Sequence, residues 1–158
     1  MKLIAFLMTS AVLGVLALAN PGDGSDLTEV VAEARPGQVI AGHAELGEDG
    51  RLVIDGMAIE LMGLKLPARG QVCQDRIGAA FGCGQEARAY LDRHQQRDPV
   101  HCLVEATELG PRGRCSLGDS DLSAMLVHSG LAWAETSAVP DYVELQNGAR
   151  ADARGLWR

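Results

Sequence analysis

A chain of 158 residues, 47% hydrophobic and 22% charged, can bury one domain-sized core, and this composition excludes wholesale disorder. Its 14 basic against 21 acidic residues give a formal charge of −7, with Lys2 and Lys65 the only lysines. Phosphate-backbone affinity comes mainly from clustered Lys and Arg, so this balance argues against general nucleic-acid binding.

Met1-Lys2 opens an apolar run over residues 3–19, broken only by Thr9, Ser10 and Gly14 and closing on Ala17-Leu18-Ala19. A basic start, an apolar stretch and a small-x-small site predict a secretory signal peptide over residues 1–19 and a mature chain from Asn20. An uncleaved membrane anchor is the competing reading. With no Cys at the cleavage site a lipid anchor there is not expected, so the mature protein should be periplasmic or secreted and off the membrane. Cys73, Cys83, Cys102 and Cys115 lack CxxC spacing, which fits structural zinc poorly. After export they predict two disulfides, with three possible connectivities.

Residues 20–37 are rich in Gly, Asp and Ser, then mildly helical, and end at Pro36-Gly37; they read as a linker or arm. Short β-type runs follow at Val39-Ile40, Leu52-Val53-Ile54 and Ile59-Glu60-Leu61-Met62, separated by turn signals at residues 47–50 and Asp55-Gly56. Residues 84–95 have helical spacing in Ala87, Tyr90 and Leu91. Residues 100–106 and 112–117 read as a hairpin around Leu109-Gly110-Pro111. Asp119 or Ser120 is the predicted cap of a helix carrying Leu122, Met125 and Leu126 and ending at Gly130. A last helix after Pro140 places Tyr142, Leu145, Ala149 and Ala153 on one face and closes at Gly155. The order β-β-β-α-β-β-α-α fits a β-barrel plus α class: a five-stranded Greek-key barrel of OB type with three helices.

Gly113-Arg114, Asp121-Leu122, Leu126-Val127, Gly130-Leu131-Ala132-Trp133-Ala134, Tyr142, Glu144, Ala149-Arg150 and Gly155-Leu156-Trp157 together resemble the end of the thermonuclease (staphylococcal-nuclease-like) family. That family closes on a Tyr-Gly-Arg strand and two helices of this pattern. The four cysteines also resemble those of its exported bacterial members, and the likeness covers residues 38–158. Family members carry Asp-Gly-Asp-Thr, then a strand and Ile-Arg-Leu-x-Gly-Ile-Asp-x-Pro-Glu. Residues 59–68 fit the second motif without gaps, which sets Glu48-Asp49-Gly50-Arg51 at the first. A rival register at Asp55-Gly56-Met57-Ala58 leaves no room for a strand before Gly63.

The resemblance assigns Ca²⁺ binding to two Asp, the base role to the Glu after Pro, and charge stabilisation to two Arg. Phosphodiester hydrolysis needs such a set: oxygen ligands for a hard cation, a base for water, and cations for the developing phosphorane. Here those positions hold Gly50, Lys65, Ala68 and Glu60, and Arg114 alone is retained, with Arg112 in place of the preceding Tyr. An ammonium at Lys65 removes a ligand and repels the ion. Glu48 and Asp49 could restore one ligand if the turn shifts, but read more simply as a solvated hairpin tip.

The favoured expectation is therefore a monomeric, non-catalytic exported binding or structural module with no metal and no cofactor, its partner unspecified. A Ca²⁺-dependent nuclease with a rearranged site is the alternative. A single-strand binder would need aromatic platforms, yet residues 39–64 and 100–117 contain no Phe, Tyr or Trp. His43, His94, His101 and His128 have no metal-type spacing, and Trp133 and Trp157 are expected to anchor the core. Three further expectations concern pairing. The disulfides should be sequential, with Cys102 and Cys115 symmetric about a turn near Glu108-Leu109. His101, one residue from Cys102, should face the other way. Glu60 should pair with Arg114 or Lys65, because a partly buried carboxylate left alone is costly.

Overall fold

The computed structural model describes residues 37–135 and 139–158. The leader expected at 1–19 and the arm expected at 20–37, apart from Gly37, lie outside the described residues. The chain runs through β1 (Gln38–Gly42), β2 (Glu45–Leu46), β3 (Leu52–Ile54), β4 (Met57–Leu61), β5 (Leu64–Lys65), β6 (Cys73–Gln74) and β7 (Ala80–Phe81). Helix α1 (Cys83–His94) precedes β8 (Val100–Thr107), β9 (Gly110–Leu117) and β10 (Ser120–Asp121). Then come α2 (Leu122–His128), β11 (Trp133–Ala134), α3 (Pro140–Ala151) and a 3-10 turn (Gly155–Trp157).

Period-two alternation builds the sheet. β4 buries Met57, Ile59 and Leu61, and β8 buries Val100, Cys102 and Val104 while His101, Leu103 and Glu105 face out. The strand order is β1-β8-β9-β4-β3-β2, with β10 added to β9. Among the described pairings only β4–β9 is parallel, with Glu60 opposite Arg112 and Leu61 opposite Gly113. The first and last strands of this order, β1 and β2, are separated in the chain by His43 and Ala44 alone. One short stretch thus serves both ends, and the mixed sheet curls around its apolar face.

Ala44 sits at that corner, fully buried, where the chain leaves β8 and joins β3. Gln95, at the end of α1 and only 6% exposed, supplies the missing ladder: its Oε1 accepts the Ala44 N–H and its Nε2 donates to the Ala44 carbonyl, both at 2.8 Å. Helix α1 adds Ala87 and Leu91 to the core, and α2 adds Leu122, Leu126 and Val127. Burying one such aliphatic side chain is worth about 1.5–3 kcal/mol.

Four local expectations need correction. Asp121, rather than Asp119 or Ser120, caps α2, its carboxylate accepting the Ala124 N–H at 3.1 Å. Helix α3 ends at Ala151, and Ala153 is exposed at φ +53°, so it shares no helix face with Tyr142 and Ala149. Trp133 and Trp157 are half-buried and neither belongs to the core, and Arg150 covers the Trp157 ring at 4.1 Å. The hairpin turn is Glu108-Leu109, with Gly110 and Pro111 already in β9.

The disulfides are Cys73–Cys83 and Cys102–Cys115, the sequential pairing. Cys102 and Cys115 lie directly opposite each other in the β8–β9 ladder, and His101 is exposed on the other face. Two disulfides fit an oxidising, extracytoplasmic environment. Among the described residues, no helix is long and apolar enough to cross a membrane. Replacing Cys102 and Cys115 together by alanine should lower unfolding free energy by about 3 kcal/mol on the loop-entropy model, read from urea midpoints. An unchanged midpoint would mean that the ladder alone holds the hairpin.

Candidate functional site

The curled sheet, the turn at residues 47–50, and the β5–β11 pair frame a depression of about 350 Å³. Gly50, Glu60 and Lys65 line it together with Asp49, Arg51 and Glu135. Three of the positions singled out in the sequence therefore line one depression. Asp55 and Gly56 form the β3–β4 turn, both with positive φ. Ala68 lies at the rim, its N–H donated to Gln71 Oε1 at 3.1 Å.

The acids of the depression are each answered by an arginine. Arg112, on β9, places Nη2 3.2 Å from Glu60 and 3.5 Å from Glu135. The parallel β4–β9 register brings Glu60 and Arg112 side by side, and the Glu135 N–H, donated to the Gly63 carbonyl at 2.9 Å, fixes the third member. Glu60 thus pairs with Arg112 and not with Arg114 or Lys65, which corrects the pairing expected above. The reason is register: Arg114 lies two residues further along β9, past the rung at which β4 ends.

Asp49 accepts from Arg51 Nε at 2.6 Å and from the Arg51 N–H at 3.1 Å, and this guanidinium holds its carboxyl below the usual carboxylate range. Glu48 meets Arg69 at 3.5 Å. These are exposed pairs worth about 0–1 kcal/mol each, as a solvated hairpin tip implies.

Gly50 is a different kind of substitution. Its φ is +82°, and a Cβ added there would meet the Leu66 carbonyl oxygen at 2.6 Å. An aspartate at this position needs both a strained backbone and a displaced Leu66 carbonyl. Lys65 is exposed, lies opposite Trp133 in the β5–β11 pair, and forms no ion pair among the described residues.

No protein-family model matches the chain, and no curated protein matches it. The site must be read from its own chemistry.

That chemistry does not suit Ca²⁺, which takes six to eight oxygen ligands. The carboxylates within reach are each engaged by an arginine, Gly50 offers no side-chain oxygen, and Lys65 adds a positive charge. Arg114 stands apart from the depression, near Tyr142, whose phenol donates to Asp121. Burial first, and that carboxylate second, push the Tyr142 phenol up to about 12.

Sequence reasoning missed Glu135 and Gln95, and it did not pair Arg112 with Glu60. That pair joins two strands far apart in the chain. It becomes visible only when the two strands are known to be neighbours.

Proposed function

We propose that residues 38–158 form an OB-type, five-stranded Greek-key barrel of the thermonuclease kind, exported after loss of residues 1–19, and that it is a non-catalytic binding or structural module. The strand order supports the barrel: counting β1 and β2 as one bent strand gives five, with a single parallel pair closing the circuit. The leader pattern and two disulfides support export, and N-terminal sequencing of protein from the cell envelope should begin at Asn20.

The observation that carries the functional reading is the Glu60–Arg112–Glu135 bridge. It holds two acids and a base against one another where hydrolysis needs acids free for a metal and bases free for a phosphate. The test is a nuclease assay of the mature protein on single-stranded DNA and RNA with millimolar Ca²⁺, beside a thermal-shift titration. No cleavage above buffer and no Ca²⁺-dependent rise in Tm are expected. Cleavage that disappears on Asp49→Asn would overturn the proposal in favour of a rearranged Ca²⁺-dependent nuclease.

A further inference from the structure

Away from the residues just described, three arginines gather at one place in the fold. Between the Cys73–Cys83 loop and the last turn of the chain lies a second depression, of about 310 Å³, lined by Asp75, Arg76, Arg150, Trp157 and Arg158 among others. Two of its guanidinium groups are held by rings. Arg150 lies 4.1 Å from the centroid of Trp157, and Arg158 lies 3.7 Å from that of Phe81. A guanidinium stacked on a ring has its plane set and its edge N–H groups still free to donate.

Arg76 is fixed by the backbone. Its Nη2 donates to the Arg150 carbonyl, and its N–H donates to the main-chain oxygen of Arg158 at 2.7 Å. Two acids lie beside them. Asp75 Oδ1 accepts the N–H groups of Ile77 and Ala79 at 3.0 and 2.8 Å, and Glu86 pairs with Arg158. Neither Arg76 nor Arg150 forms an ion pair among the described residues. In a chain of net charge −7, three guanidiniums meet at one depression, and of the three only that of Arg158 forms an ion pair among the described residues.

We propose that this depression is an oxyanion site for a phosphate group, with Arg76 and Arg150 as the binding cations and Arg158 as a third donor. A carboxylate is satisfied by one guanidinium fork. A phosphate carries more charge and presents oxygens in several directions, so it can be met by guanidiniums from two sides at once. The proposal is independent of what the Glu60–Arg112 depression does.

Isothermal titration of the full mature chain with sodium phosphate and with sodium acetate, at constant ionic strength, tests it. One phosphate should bind saturably, at least about tenfold more tightly than acetate. Arg150→Gln, at an exposed position, should weaken phosphate by about tenfold or more and lower Tm only slightly, through the lost contact with Trp157, while Arg150→Lys keeps part of the affinity. Lys65→Gln should leave it unchanged. Absence of saturation up to tens of millimolar, equal binding of acetate, or loss of binding in Lys65→Gln instead of Arg150→Gln would each overturn the assignment.

Discussion

Gln95→Leu is expected to destabilise the fold by about 2–5 kcal/mol, although leucine matches the side chain in size and the site is a helix end. The loss comes from Ala44. Its N–H and carbonyl are both buried, and Gln95 is the partner of each. Leucine leaves two backbone groups dry and unpaired, each costing about 1–3 kcal/mol. Urea unfolding measures the effect, with Gln96→Leu at the exposed neighbouring position as the control that should change little. Equal midpoints for the two variants would show that water can reach the Ala44 corner.

Gly130→Ala should cost at least about 3 kcal/mol, for two separable reasons. Gly130 has φ +70°, and an added Cβ would lie 2.3 Å from the Arg154 carbonyl oxygen and 2.7 Å from its carbon. Both obstacles are backbone, so no rotamer change relieves them. Gly155 answers in kind: a Cβ there meets the Gly130 carbonyl oxygen at 2.3 Å, and the Leu156 N–H donates to that same oxygen at 2.8 Å. The two glycines are thus a backbone-to-backbone contact joining the end of α2 to the end of the chain. Gly118→Ala isolates the conformational part, since φ is +57° there and nothing lies within 4 Å of the added carbon. It should cost about 1–2 kcal/mol. If Gly130→Ala costs no more than Gly118→Ala in thermal or urea unfolding, the contact has slack that the static geometry does not show.

What was legible in the sequence followed from local rules. Alternation marked β4 and β8, the Asp55-Gly56 pair marked a hairpin turn, and the symmetry of Cys102 and Cys115 about Glu108-Leu109 placed them face to face. Glu60 and Lys65 line one depression, whereas Arg114, expected to converge with them, does not. What was not legible depended on contacts between distant parts of the chain. The partner of Glu60 is decided by the parallel β4–β9 rung, and a two-residue step along β9 separates the arginine that meets Glu60 from the one that lies beyond the end of β4. Gln95 stands in the polar run Gln95-Gln96-Arg97-Asp98, where composition predicts solvent and gives no hint of a buried corner 51 residues earlier. The end of α3 was misjudged because Ala153 takes a left-handed turn that a non-glycine residue rarely adopts.

The β8–β9 hairpin also governs the order in which this chain can assemble. Its own pairing is local, as are those of β2–β3 and β3–β4, but within the main sheet the two seams that join distant sequence, β1 on β8 and β4 on β9, both dock onto it. Contacts of long sequence separation are slow to find because the loop must close before any pairing rewards it. A hairpin already joined through Cys102 and Cys115 offers both seams one finished template instead of two strands to be caught separately. Stopped-flow refolding should therefore slow in the Cys102→Ala/Cys115→Ala variant by more than unfolding quickens, and the reverse partition would place hairpin formation after the rate-limiting step.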